Sequence, residues 1–372
     1  MDIRSLRPTV VEVSLDRLAE NFRAIQAAVT AAAVMPVLKA NAYGHGLVPV
    51  ARHLASLGAR SLGVAFLEEA VALREAGVTL PILVMGGIFG DQIPIFLHHG
   101  LTLTASSIDK LRQIEETAAR LEVTARVHLK IDTGMERIGV HYYSARGLLE
   151  RAADCRHLLV EGIYSHFANA DAADLASARV QLARFLEVLE WYDKQGVKAP
   201  LRHIANSGAV LQLPESHLDL VRPGILLYGV YPSSEVRQTI AVRPALSWKS
   251  RVVYFKVVTP GHPVSYGSTW QSDHPVRIVT VPVGYGDGYF RALSNVAHVL
   301  IRGKKYPVVG RVCMDQIMVN IEWETAYNGD VVTLLGSDGD EVITCEDLAE
   351  RAGTIPYEVL TNINTRVPRI YV

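Results

Sequence analysis

The stretch Val37-Leu38-Lys39-Ala40-Asn41-Ala42-Tyr43-Gly44-His45-Gly46 shows the plainest chemical potential in this sequence. The apolar run at residues 35–38 reads as a buried strand, and it ends on a lysine. An amine at that boundary is half-desolvated, which lowers its pKa and exposes a usable nucleophile. That is the setting of a Schiff-base lysine, although a strand-end lysine that only snorkels to solvent has the same pattern. Further reactive types stand at the ends of later apolar runs: Lys130, Asp132, His166, Asn206, Ser207 and Arg222. Singly, each has a plain explanation as a core histidine, a structural ion pair or a helix N-cap. Their recurrence at successive strand exits is what points to one site.

The elements that must position them alternate. Residues 9–13 read as a strand, Ser14 as an N-cap, and Leu15, Leu18, Phe22, Ile25 and Val29 as one face of a helix running to about Ala33. Strands are then expected at 35–39, 61–66, 81–86, 101–105, 124–131, 158–166, 201–206 and 219–222, with helical patterns between them. This repetition predicts an α/β architecture, an N-terminal (β/α)8 TIM barrel over residues 1–240, in which catalytic groups gather at the C-terminal ends of the strands. A doubly wound sheet shares the alternation, but no strand here is followed by G-x-G-x-x-G. From 241 to 372 the pattern changes to β-rich runs separated by Gly, Pro and Asp turns. A mostly β C-terminal domain is expected there, with one helix at 347–351 and with the strand at 9–13 joining it.

The last two strand exits look suited to phosphate. Ser207-Gly208 opens a helix, and Gly224-Ile225 follows Arg222-Pro223. Helix N-termini and free backbone N–H groups bind phosphate without a lysine, and such a site after strands seven and eight recurs in barrels. A Schiff-base lysine facing a phosphate site points to pyridoxal 5'-phosphate. Arg222 is then the expected partner of the pyridine nitrogen. An arginine cannot accept that nitrogen's proton, so the ring would be a weaker electron sink.

Composition narrows the class. The chain has 372 residues, 49% hydrophobic and 20% charged, with a formal net charge of -1. That balance leaves no electrostatic footprint for nucleic acid or for an anionic membrane surface. Cys155, Cys313 and Cys345 form no C-x-x-C and fit a reducing compartment rather than a disulfide framework. Without an apolar leader or a membrane-length apolar run, a soluble cytoplasmic protein is expected. Clustered histidines for a metal site are missing from the first strand, where Lys39 stands.

The motif VLKANAYGHG around Lys39 resembles the cofactor attachment site of alanine racemases. The resemblance continues through KIDTGMERIG, SHFANAD, RHIANSG, VRPGILLYG, SYGSTW, VPVGYGDGY, GRVCMDQIMV and YEVLTNINTRVPRIY, in order along the chain. It implies interconversion of L-alanine and D-alanine by two bases on opposite faces of the α-carbon. Lys39 would be one, and Tyr266 of a second subunit the other, in a homodimer with shared sites. An ordinary phenol with a pKa near 10 costs about 4 kcal/mol to ionise at pH 7, so hydrogen-bonding or cationic groups must assist it. His166 and Arg222 are the implied chain.

By the same resemblance Tyr43, Ser207, Gly224, Ile225 and Tyr357 hold the phosphate, and Arg137 with Met314 holds the substrate carboxylate. Tyr285 and Asp315 form a gate, and Lys130 matches a position carbamylated in many members. The implied role is D-alanine supply for bacterial peptidoglycan. A broader amino-acid or serine racemase keeps these motifs. A non-catalytic homeostasis protein for the same cofactor lacks the second domain, and a decarboxylase of this fold lacks the β-domain motifs.

Overall fold

The computed structural model describes residues 7–29 and 31–372. The chain forms two compact units, one of Ala19–Ala42 and Gly46–Val242, the other of residues through Leu18 with Tyr43–His45 and Arg243–Val372.

The first unit is a closed parallel barrel. Its strands are Ala33–Val34, Leu62–Val64, Ile82–Val84, Leu103–Ala105, Ala125–Asp132, Leu158–Tyr164, Leu201–His203 and Leu220–Val221. Leu220 pairs with Ala33 and Val221 with Val34, which joins the last strand to the first. Single bridges, Val37 to Gly63 and Leu83 to Thr102, carry the ladder across two junctions. Between the seventh and eighth strands the amides of Asp219 and Arg222 donate to the carbonyls of Arg202 and Ala205. The three-residue strands at 62–64, 82–84 and 103–105 are buried throughout, as strands covered on both faces must be. That is why they read as continuous apolar runs.

Two expectations need correction here. The first strand was expected over 35–39; its regular ladder is Ala33–Val34, earlier and shorter, and the extended backbone continues past Pro36, with the amides of Met35, Val37 and Leu38 donating to the carbonyls of Val221, Pro223 and Gly63. Lys39 stands directly after this extended segment and opens a left-handed turn. Likewise the first helix spans Leu15–Ala28 and Ala33 already lies in a strand. The alanine- and valine-rich sequence between them carries no breaker that marks this boundary.

The second unit is built on a ten-stranded sheet. Its order runs from the edge strand Tyr254–Val258 through Val276–Val281, Ile317–Asn320, Lys304–Val309, His298–Ile301, Val331–Asp338, Leu246–Arg251 and Val10–Val13 to Arg369–Tyr371, with Glu341–Ile343 beside Val331–Asp338. All pairings are antiparallel except that of Val10–Val13 with Arg369–Tyr371. Trp248 and Tyr289, both fully buried, meet edge to face in its core. Two helices cover it, Cys345–Ala352 and Pro356–Asn362, where one was expected at 347–351. The second starts on a proline in its first turn, a favoured position that a breaker-based reading scores against a helix. Among the described residues no helix is long and apolar enough to cross a membrane.

Candidate active site

On the barrel, Lys39 is half-buried and begins a turn in which Ala40, Asn41, Ala42 and Tyr43 have φ of 53, 56, 54 and 51°. The amide of Ala42 donates to the carbonyl of Leu38 (2.8 Å), and that of Gly46 to the carbonyl of Asn41 (2.9 Å). The Asn41 side chain accepts from Leu47 N–H (2.8 Å) and so caps the following helix. Burial lowers the Lys39 pKa, Arg137 lowers it further, and Glu69 opposes both.

Lys130, on the fifth strand, is buried, and its Nζ donates to the Ile131 carbonyl at 3.0 Å. Burial, with the Arg222 charge next and a smaller effect of Arg137 against the pull of Asp132, brings its pKa to about 7. Asp132 forms no ion pair with these cations among the described residues. Its carboxylate accepts backbone N–H bonds from Gly134, Met135 and Arg137, at 2.8, 3.0 and 3.2 Å, and thereby shapes the loop that presents Arg137. Desolvation opposes ionisation of Asp132, but the backbone donors outweigh it and hold the carboxyl below its usual range.

Arg222 is buried and, among the described residues, bonded to four acceptors, none of them a carboxylate. Nη1 lies 2.7 Å from His203 Nδ1; Nη2 reaches the Ser165 carbonyl (2.7 Å), the Ile204 carbonyl (3.1 Å) and His166 Nδ1 (3.2 Å). Its Cζ sits 5.3 Å from the centre of the Tyr164 ring, and Lys130 Nζ lies 5.0 Å from the same ring. Tyr164 in turn stacks on His203 at 4.8 Å, and His203 Nε2 is 2.8 Å from His128 Nδ1. Burial, with Arg222 beside them, holds His166 and His203 far below an ordinary imidazole and His128 at about 3. The rings are therefore neutral, and the direction of the chain is set: His203 accepts from Arg222 and donates to His128.

The seventh and eighth strand exits are tied by one hydroxyl. Ser207 Oγ accepts from Gly224 N–H (2.9 Å) and Leu226 N–H (3.3 Å). Ser207 opens the helix Ser207–Gln212, capped by Asn206, and Ile225 opens the turn Ile225–Tyr228. At Gly208 a Cβ would fall 2.4 Å from the Ala170 carbonyl oxygen, so only glycine lets that backbone approach. The rim thus carries Lys39, Lys130, Arg137 and Arg222 with its nearest carboxylate engaged by backbone. Surplus positive charge beside a helix start suits an anionic phosphate and a carboxylate, and the residues present fit pyridoxal phosphate.

The second unit holds the remaining expected residues. The Tyr43 and Tyr357 rings lie 6.2 Å apart, and the neighbouring backbone is fixed by Arg369 Nε to the Gly44 carbonyl (2.9 Å) and Tyr371 Oη to the His45 carbonyl (3.2 Å). Tyr266 is 70% exposed on a turn whose preceding residue, Ser265, has φ 69° and bonds through Oγ to the Arg311 carbonyl (2.6 Å). Tyr285, Met314 and Asp315 come together because Tyr285 N–H donates to the Cys313 carbonyl (3.0 Å) and Gly286 N–H to the Met314 carbonyl (2.9 Å). Asp287, fully buried, braces these loops: it accepts from Arg7, from Gly284 N–H (3.1 Å) and from Arg366 Nε (2.6 Å), while Arg366 Nη2 also holds Asp315 (2.6 Å).

Sequence reasoning missed Tyr164, His128, His203, Glu69, Asp287 and Arg366. His128 was within reach, since it stands two residues before Lys130 on one strand and so faces the same side.

A β/α barrel with a lysine after its first strand, a helix start and a turn joined by Ser207 at its last two, and a following β unit is the arrangement of barrel-type amino-acid racemases. The family models described as alanine racemase N-terminal domain and alanine racemase C-terminal domain match residues 13–232 and 245–371. A curated alanine racemase of Carboxydothermus hydrogenoformans is 46% identical over 369 residues, 99% of this chain and 100% of that one. The solved alanine racemase of Clostridium difficile 630 superposes with a TM-score of 0.93 at 37% identity, covering 98% of this chain and 96% of that chain. A histidine racemase from Leuconostoc mesenteroides subsp. sake superposes with a TM-score of 0.90 at 30% identity, covering 98% of each chain. This chain belongs to the alanine racemase family, whose members are pyridoxal-phosphate-dependent isomerases.

Proposed function

We propose that this chain interconverts L-alanine and D-alanine with pyridoxal 5'-phosphate held at the barrel mouth. The observation that carries the reading is Lys39 on a rim whose buried basic groups, Lys130 and Arg222, are hydrogen-bonded to no carboxylate among the described residues. When bound there, the cofactor supplies an electron sink that acidifies the substrate's α-carbon. Lys39 Nζ would anchor it through its aldehyde carbon, with loss of water, and Tyr43, Ser207, Gly224, Ile225 and Tyr357 would hold its phosphate. Arg222 would donate toward the pyridine nitrogen and keep its own proton, since a guanidinium is too basic to release one there. A ring left without that proton would be the weaker electron sink, which disfavours side reactions.

Once freed, Lys39 Nζ takes or returns the α-proton on the face that the D-isomer presents, and Tyr266 Oη does so on the opposite face. Arg137 and the Met314 backbone N–H hold the substrate carboxylate, while Tyr285 and Asp315 gate the approach. Lys130, with a pKa of about 7, is half neutral at that pH and able to add carbon dioxide, forming an N–C bond and releasing one proton. The resulting anion would orient Arg137.

Tyr266, Tyr285 and Met314 belong to a second copy in this reading. Its support is their exposure, at 70%, 44% and 52%, and the edge strand Tyr254–Val258, which leaves Tyr254, Phe255 and Val257 uncovered. The enzyme acts in a bacterial cytoplasm and supplies D-alanine for peptidoglycan. A broader amino-acid racemase, active on serine as well, is the second reading; the histidine racemase of the same fold favours keeping it. A panel of L-amino acids assayed for D-isomer formation decides between them. Conversion of alanine at least tenfold faster than of any other substrate supports the first reading, and no conversion of alanine refutes both.

A further inference from the structure

One carboxylate outside the machinery just assigned holds the turn that follows Lys39. Glu69 lies in the first turn of the helix Leu67–Glu75. Its Oε2 accepts from the amides of Ala65 (2.8 Å) and Phe66 (3.2 Å), at the exit of the second barrel strand. Its Oε1 accepts from the amide of Ala40 at 2.6 Å. A single side chain therefore joins the second strand exit to the residue after Lys39.

That tie matters because Ala40, Asn41 and Ala42 are left-handed, with φ of 53, 56 and 54°. Ordinary L-residues resist this region, and of the three only asparagine tolerates it readily. Such a turn persists only where its surroundings hold it. Within the segment Ala42 N–H donates to the Leu38 carbonyl, and Asn41 accepts from Gly46 and Leu47; Glu69 supplies a bond from another element.

We propose that Glu69 is a positioning residue for Lys39: by pinning the Ala40 amide it sets the direction from which the lysine amine enters the barrel mouth. The proposal rests on the reading of Lys39 as the base that acts on the D-isomer. Charge follows geometry here. The charged groups acting on the Lys39 amine are Arg137, which favours its neutral form, and Glu69, which favours its charged form. An amine that must both take and return a proton benefits from that balance.

Glu69→Gln separates the bonds. With one carbonyl oxygen, the amide cannot accept at both Ala40 and the Ala65–Phe66 cap, and it carries no charge. Two measurements test it. First, the pH dependence of Lys39 acylation by acetic anhydride is followed by mass spectrometry on cofactor-free protein; its midpoint moves to lower pH in Glu69→Gln, because the group that raised it is gone. Second, kcat falls roughly tenfold, and the primary isotope effect grows with α-deuterated D-alanine but not with α-deuterated L-alanine.

A folded Glu69→Gln protein with an unchanged labelling midpoint and unchanged isotope effects overturns the proposal. If that variant does not fold, Glu69→Asp, one methylene too short to span both sites, is read by isotope effects alone, and symmetric values overturn it. The underlying reading fails separately: a wild-type chain without racemase activity, or Lys39→Ala with full activity, sinks it whatever Glu69 does.

Discussion

Arg222 donates to His203 Nδ1 at 2.7 Å, so a buried cation is bonded to an imidazole that must stay neutral. The bond fixes the His203 tautomer, and through it that of His128. His203→Phe removes the acceptor and leaves part of the guanidinium unmatched. Unfolding in urea should show a loss of about 1–3 kcal/mol for His203→Phe, with His203→Asn, which keeps an acceptor, closer to wild type. Equal stability of all three would mean that the bond contributes nothing.

The same histidines set a pH dependence. His128 and His203 have folded-state pKa values below their unfolded values near 6.5, His128 at about 3. The unfolded chain therefore binds more protons as pH falls. Stability is full above about pH 6.5 and declines below it, by about 1.4 kcal/mol per pH unit for each histidine until its folded pKa is reached. Denaturant midpoints at pH 7 and pH 5 measure the decline, and a double variant, His128→Asn with His203→Asn, should lessen it and leave the share due to His166.

Sharing of sites between subunits is open to complementation. Lys39→Ala and Tyr266→Phe should each lower racemisation by more than about a hundredfold, with Tyr266→Phe keeping the visible absorption of the bound cofactor. Unfolded together and refolded as a mixture, they should recover up to about a quarter of wild-type activity, since half of the dimers carry one intact site. No recovery would place both residues of a site on one chain.

Asp287 should be a stability residue that also acts on specificity. It is fully buried between Arg7 and Arg366, and Arg366 also holds Asp315, with its own pKa raised first by Asp287 and then by Asp315. Asp287→Ala should destabilise the chain by more than about 2 kcal/mol, discounted from a deeply buried pair because both arginines are partly exposed. Arg366→Gln, milder, should raise KM for alanine more than it lowers kcat. A lower kcat at constant KM would assign Arg366 elsewhere.

Much of the barrel was legible because its strands are short apolar runs ending at reactive or glycine-rich exits. Lys39, Lys130, His166, Ser207 and Arg222 could be placed on strand exits from that pattern alone. The left-handed turn was not legible: Ala40, Ala42 and Tyr43 have no preference for positive φ, and Glu69, which helps hold it, lies 29 residues away. Nor was the imidazole chain, since His128 and His203 meet across 75 residues of sequence and local periodicity cannot see a partner on another strand. Tyr266, Met314 and Tyr357 came only from the family resemblance, because an exposed tyrosine or methionine in a turn carries no local mark of chemistry.

The crowding of Lys130 and Arg222 around one tyrosine ring has a consequence for how long the chain survives. Like charges confined in a poorly hydrated mouth repel one another, and a bound dianion relieves them together. Inorganic phosphate at millimolar concentration should therefore raise the melting temperature of the apo-protein, as any ligand selective for the native state does. An occupied mouth would then resist thermolysin digestion longer than an empty one.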